Sequence, residues 1–251
     1  MSLKRQSDIL QVVRESGSAS ITDLAARLGV STETIRRNLK PLIAQGSVLR
    51  FHGGIMSPEH MDDPPFQRRM QLNRNGKRQV AALVLGMVRD GDTLILDNGT
   101  TATYVAEALT ARANLVVVTN SAQIACRLAN RNNNRVFMAG GELGGDDAAA
   151  FGPASIEFLK QFEVRCALIT VAGINARSEL VDFHLFEAEF SRAAMAQAAE
   201  SWVITDHSKF GREAPVKVCE LAQVQKIVTD AAPPEEFAAR CAAAGVQLVT
   251  G

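Results

Sequence analysis

Two groups of chemistry-bearing residues stand in regular patterns in this 251-residue chain. In the first, Ser31, Thr32, Thr34, Arg36, Arg37 and Lys40 alternate with Ile35, Leu39, Leu42 and Ile43. At helical spacing this separates a polar, cationic face from an apolar one. Hydroxyls at a helix start can bond phosphates, and Arg can bind guanine edges in a bidentate way or grip phosphate oxygens. The polar face therefore carries the chemistry to enter a major groove. Arg50 and His52, beside Gly53-Gly54, would reach flanking phosphates or the minor groove from a hairpin. For any single Arg, an ordinary solvated basic helix is the competing reading.

The second group follows a series of short apolar runs. These runs end in Asp97-Asn98-Gly99-Thr100-Thr101, Thr119-Asn120-Ser121, Gly140-Gly141-Glu142, Gly173-Ile174-Asn175 and Asp206-His207-Ser208-Lys209-Phe210-Gly211. If the runs are parallel strands, their carboxyl ends share one edge, where ligands of open α/β sheets bind. Gly99-Thr100-Thr101 at a helix start would present backbone N–H groups and hydroxyls to an anion. A plain capped turn is an equal alternative for that triplet. Lys209 could neutralise a phosphate, and a surface lysine in a loop is its alternative.

These residues need two kinds of support. Residues 1–57 read as three short helices and a hairpin. Ser16-Gly17 ends the first helix, Ser20 caps the second, Gly29 terminates it, and Ser31 and Thr32 cap the third. Two helices joined by a turn and followed by a basic hairpin make a winged helix-turn-helix. Residues 58–75, with Pro58, Pro64, Pro65, Asp62 and Asp63, read as a linker. Residues 76–251 alternate helix and apolar strand, the pattern of a mostly parallel sheet covered on both faces. The expected fold class is α/β, with an N-terminal winged helix-turn-helix and a C-terminal mostly parallel α/β domain.

Composition narrows the classes further. Equal numbers of Lys/Arg and Asp/Glu, 27 each, conceal an asymmetry. Residues 1–80 hold 13 basic and 7 acidic groups, a basic head on an acidic body that suits a polyanionic partner for the head. No apolar run approaches a membrane span or a secretion signal, so a cytoplasmic protein is expected. Cys126, Cys166, Cys219 and Cys241 form no CxxC pair and have no suitably spaced His, so buried free thiols are expected, with no metal and no cofactor.

The residues over 20–54, with Leu24-Ala25, Val30-Ser31, Thr34-Ile35-Arg36-Arg37-Asn38-Leu39 and Leu49-Arg50-Phe51-His52-Gly53-Gly54, resemble the N-terminal domain of the DeoR family of bacterial sugar-metabolism repressors. Asn38 departs from the Asp usual there, which would alter phosphate contact or operator choice. The strand-end motifs resemble the sensor domain of the same family, which is similar to ribose-phosphate isomerase and binds phosphorylated sugars or polyols. The resemblance implies effector contacts at Asp97, Gly99, Thr100, Thr101, Thr119, Asn120, Gly140, Gly141, Glu142, Gly152, Glu187 and Lys209. Two further departures are Gly144-Gly145-Asp146-Asp147, where an Arg is frequent, and Arg192 in place of a Lys. Losing a cation and adding two carboxylates there would change the effector or weaken its binding.

Within the family, Gly140-Gly141-Glu142-Leu143, Asp182-Phe183 and Asp206 to Arg212 look most like the glycerol-3-phosphate repressor branch, which makes glycerol 3-phosphate the first candidate effector. What the resemblance implies is a non-enzymatic regulator of carbohydrate or polyol genes. It would bind double-stranded operator DNA as a homodimer or homotetramer and be released by its effector. The alternatives are an isomerase-like enzyme using Asp97, Glu142 or Glu187 as base, and an architectural DNA binder without a ligand.

Overall fold

The computed structural model describes residues 2–16, 18–45, 47–51, 54–56, 64–144 and 146–251. The chain divides into two compact units, residues 1–64 and 65–251. In the first, α1 (Ser2–Ser16), β1 (Ser18–Ser20), α2 (Ile21–Leu28), α3 (Thr32–Ala44), β2 (Leu49–Phe51) and β3 (Gly54–Met56) follow in order. The three strands form an antiparallel sheet ordered β1-β3-β2, so the hairpin gains a third strand too short to show a period in the sequence. Ile9, Val13, Leu24, Ile35, Leu39, Leu42, Val48 and Ile55 fill one core among the three helices and the sheet. Its caps are as expected. Ser20 Oγ accepts from Asp23 N at 2.9 Å, Ser31 Oγ accepts from Thr34 N at 3.2 Å, and Gly29 closes α2 at φ +62°, a conformation that glycine adopts without a Cβ penalty.

The second unit begins earlier than the sequence predicts. Within the expected linker 58–75, α4 (Phe66–Gln71) is helical, its Phe66 is buried, and α5 (Arg74–Met87) already starts. Proline and charge dominate the composition there and hide the apolar anchor that folds α4 onto the larger unit; residues 57–63 lie outside the described ones. The boundary also revises the charge reading. Arg68, Arg69, Arg74, Lys77 and Arg78 belong to the larger unit, which leaves eight basic groups against seven acidic ones in residues 1–64.

The larger unit continues with β4 (Thr93–Leu96), α6 (Thr100–Leu109), β5 (Val116–Thr119), α7 (Ala122–Leu128), β6 (Arg135–Met138), β7 (Leu143–Gly144), β8 (Ala149–Ala150), α8 (Pro153–Leu159), β9 (Val164–Ile169), β10 (Gly173–Ile174), β11 (Leu180–Asp182), α9 (Leu185–Ala196), β12 (Ala198–Ile204), β13 (Val216–Cys219), β14 (Lys226–Thr229), α10 (Glu235–Ala244) and β15 (Gln247–Thr250). Seven strands pair in the order β15-β14-β12-β9-β4-β5-β6, every pair parallel. Alternate residues face opposite layers, as the strand period requires. Leu94, Leu96, Val117, Leu168, Trp202 and Val228 pack with α5, α6 and α7, whereas Ile95, Val118, Ala167, Ile169, Val203 and Ile227 pack with α8, α9 and α10. A small antiparallel sheet, β10-β11-β13, and the two-stranded β7-β8 were not foreseen. Their two to four residues carry no readable alternation.

Three of the four cysteines, Cys166, Cys219 and Cys241, are buried free thiols, and burial lifts them to about 12, 12 and 11. Cys126 is exposed on α7, a correction to the expected burial. Among the described residues no helix is long and apolar enough to cross a membrane, and no His, Cys, Asp and Glu group could hold a metal ion.

Candidate functional site

α3 carries the first set of residues. Ile35, Leu39 and Leu42 are buried, which turns Arg36, Arg37 and Lys40 outward, all three exposed. The Arg36 guanidinium lies 3.7 Å from Glu33 one turn earlier, and its side chain stays 60% exposed, so the pairing is loose and screened by solvent. Ser31 is the N-cap, its Oγ 3.0 Å from Thr34 Oγ1, and Thr32 is half-buried in the first turn. Arg50 lies in β2, where only the backbone is described, and His52 is outside the described residues.

Asn38, the departure from the family's Asp, follows the two arginines on the same helix. It is buried, and its Nδ2 donates to Thr34 O at 2.8 Å on its own helix. An amide can donate in this way and an ionised carboxylate cannot.

The second group of residues gathers where the strand order reverses, a crevice position in such sheets. From β4 the chain moves outward through β5 and β6, then returns to β9 on the other side of β4 and continues through β12, β14 and β15. The carboxyl ends of β4 and β9 therefore flank the switch point of the sheet, the standard ligand position in such folds. Asp97 follows β4 and is buried. Its Oδ2 accepts from Ser191 Oγ of α9 at 2.9 Å and from Thr170 N after β9 at 3.4 Å, and its Oδ1 accepts from Asn98 N at 2.8 Å. Gly99 takes φ +123°, and a Cβ there would lie 2.7 Å from Thr170 Oγ1, so only glycine admits this close approach. Thr170 Oγ1 in turn donates to Asn98 O at 2.7 Å. α6 then starts at Thr100 with no side chain capping it, which leaves the first-turn N–H groups of Thr100 and Thr101 without intrahelical acceptors.

Neighbouring strand ends close round this seat. Thr119 and Asn120 are fully buried, and Asn120 Nδ2 donates to Ala150 O at 3.2 Å while its Oδ1 accepts no hydrogen bond. Gly140 O accepts from Ser155 Oγ at 2.7 Å, which brings the Gly140-Gly141 loop to the start of α8, whose N-cap is Gly152. Glu142 is exposed on that loop. Lys209 lies in the short helical turn after β12 (His207–Lys209), at the same edge, its N–H bonded to Asp206 O at 3.1 Å. Glu187, on the first turn of α9, completes the expected set.

The electrostatics of the crevice bring in Ser191 and Arg69, which the sequence reading missed, and Asp147 and Asp182, which it named only within family motifs. Burial pushes Glu187 up to about 9, with the charges of Asp182, Asp97 and Asp147 adding to the rise and Arg69 opposing it. Burial likewise lifts Asp97 to about 7, against the hydrogen bonds from Ser191, Thr170 and Asn98. Asp182 comes from the unforeseen small sheet, and Arg69 from α4 inside the supposed linker. Asp147 accepts from Asn98 Nδ2 at 2.9 Å, and Asp146 accepts from Phe66 N. The two carboxylates noted as a departure thus tie loops together. Arg192, the other departure, is exposed and donates to Lys217 O at 2.7 Å on β13.

With this geometry in hand, comparison with known proteins is direct. Residues 5–61 match the family model of the DeoR-like helix-turn-helix domain, and residues 72–231 match that of the DeoR C terminal sensor domain. The chain is 34% identical over 231 residues to the glycerol-3-phosphate regulon repressor of Escherichia coli (strain K12), covering 92% of each chain. It is 29% identical over 245 residues to the HTH-type transcriptional repressor CsqR of the same organism, covering 98% of this chain and 94% of that one. Among solved structures, ribose 5-phosphate isomerase A from Methanocaldococcus jannaschii is similar over 55% of each chain, at 18% identity and TM-score 0.41. From its helix-turn-helix through its sensor domain, this chain belongs to the DeoR family.

Proposed function

We propose that the chain is a cytoplasmic DNA-binding repressor of carbohydrate or polyol metabolism, released from operator DNA by a phosphorylated sugar or polyol, with glycerol 3-phosphate the first candidate. One observation carries the reading: a single chain holds an exposed arginine face on α3 and, separately, a polar crevice at the switch point of a parallel sheet. The uncapped start of α6 suits a phosphate, and the buried Asp97 and half-buried Glu187 carboxyl groups suit the hydroxyls of a polyol. The relative at 34% identity is named for a glycerol-3-phosphate regulon, which supports the choice of first candidate.

The relatives at 34% and 29% identity are named as repressors, which supports a regulator over an isomerase. A general base must be ionised at working pH; Glu187, lifted to about 9, keeps its proton at neutrality, whereas Asp97, lifted to about 7, is ionised in part. Glu187 then donates a hydrogen bond to a ligand hydroxyl and abstracts nothing.

The reading is tested by footprinting on operator DNA with and without sugar and polyol phosphates. Glycerol 3-phosphate should dissolve the wild-type footprint and, at about 100 times its Kd, stabilise the protein by about 2.7 kcal/mol in a thermal-shift assay. Arg37→Ala should weaken the footprint by about 1–3 kcal/mol if the side chain reads a base. An unchanged Arg37→Ala footprint would remove α3 from the interface, and no shift with any phosphorylated metabolite would favour an architectural DNA binder.

A further inference from the structure

Effector control requires a physical link from the crevice to the point where the chain leaves the sensor unit, and α4 begins there, directly after Pro64-Pro65. Three grips hold it. At its start the backbone N–H of Phe66, a first-turn donor without an intrahelical acceptor, donates to the Asp146 carboxylate. Asp146 adjoins Asp147, whose carboxylate holds Asn98 Nδ2 at 2.9 Å, one residue before Gly99. Farther along, Met70 O accepts from the Tyr104 hydroxyl at 3.0 Å, and Tyr104 lies one turn along α6 from Thr100 and Thr101. At its end, buried Lys77 donates to Arg69 O at 2.6 Å and Leu72 O at 2.8 Å, satisfying carbonyls of the last turn.

Two of these grips lead straight back to the seat: one through the loop that binds Asn98, the other through the helix whose first turn faces the crevice. Phe66 is buried beneath the helix, and the Arg69 guanidinium stands 5.7 Å from its ring centroid. Arg69 also acts electrostatically on Glu187, so α4 senses the carboxyl side of the crevice as well. A packing role alone would need only Phe66.

We propose that α4 is the strap through which occupancy of the crevice reaches the linker, with the bond from Phe66 N–H to Asp146 as its latch. The proposal rests on reading the crevice as the effector site. A ligand that engages Asn98, Thr100 and Thr101 displaces the two groups holding α4, and the position of α4 sets where the linker starts. An effector acts only through such a difference between two states.

The test uses the full chain and compares wild type, Asp146→Ala, Tyr104→Phe and the control Asp90→Ala. Asp90 accepts a backbone N–H, from Ala113 at 3.0 Å, just ahead of β4 at the opposite edge of the sheet. Hydrogen exchange of residues 66–72 and the Kd for an operator duplex selected from a random pool are measured with and without glycerol 3-phosphate. Both latch variants should speed exchange in 66–72 at least about tenfold and change the ligand-free DNA Kd at least about fivefold, while Asp90→Ala does neither. Faster exchange with wild-type DNA affinity would make α4 a packing element and overturn the proposal, as would unaltered exchange in both variants. Should Asp146→Ala not fold, Tyr104→Phe, which loses one hydroxyl, carries the test. If wild type ignores glycerol 3-phosphate in both exchange and melting, the ligand reading fails by itself, and the ligand-free DNA affinities still decide the strap.

Discussion

A carboxyl group that keeps its proton at neutral pH donates a hydrogen bond where a carboxylate only accepts, and Glu187 is held in that state by burial and by the nearby charges of Asp182 and Asp97. Its folded value of about 9 lies above the ordinary 4.5, so the native state binds the extra proton across that window. The associated stability is complete below about 4.5 and is lost as pH rises toward 9. Asp97, lifted from 3.8 to about 7, loses stability over a lower window in the same sense. Glu187→Gln, neutral at every pH, should therefore melt with a shallower decline between about pH 7 and about pH 9 than wild type. Parallel melting curves over that range would mean that Glu187 does not titrate there. Asp97 was legible from its strand-end motif, and Glu187 was named through the family resemblance. Ser191 and Arg69 were not legible, because nothing in their own neighbourhoods marks them; Ser191 reaches Asp97 only through folding, across 94 residues of chain.

At the scale of elements, α6 starts as α8 does, with glycine as its N-cap and no side chain serving the first turn. A Ser, Asp or Asn cap would add only about a few tenths of a kcal/mol over glycine, and the close approach of Thr170 admits no Cβ at Gly99. Replacing Thr100 and Thr101 together by Ala leaves the backbone donors and removes both hydroxyls. The double variant should hold operator DNA with wild-type affinity yet lose its response to glycerol 3-phosphate, as titration of a labelled duplex would show; loss of DNA binding as well would indicate misfolding. The longer helices and the seven sheet strands could be read in advance because caps and apolar runs are local signals. β1, β10 and β11 could not, since two or three residues have no measurable period and pair only because the rest of the fold brings a partner strand alongside. α4 was obscured in a different way: one buried Phe66 outweighs a composition that otherwise reads as linker.

For the whole molecule, the charge balance of the DNA-binding unit, eight basic groups against seven acidic, makes placement and not total charge the source of any affinity for a polyanion. A small unit with so little excess charge gains by binding in pairs on matched half-sites. Sedimentation equilibrium should thus report twice or four times the 27.0 kDa chain mass, and a monomer that still protects a symmetric operator would count against the reading. The residues themselves determined the two-unit plan, the helix caps, the arginine face and the polar strand ends, because each depends on groups within a few positions of one another. The tertiary structure alone decided that Asn38 turns inward, that α4 belongs to the sensor unit, and that four carboxyl groups and Arg69 share one electrostatic environment. Burial and long-range electrostatics are properties of the folded surroundings, and no local stretch of sequence contains them.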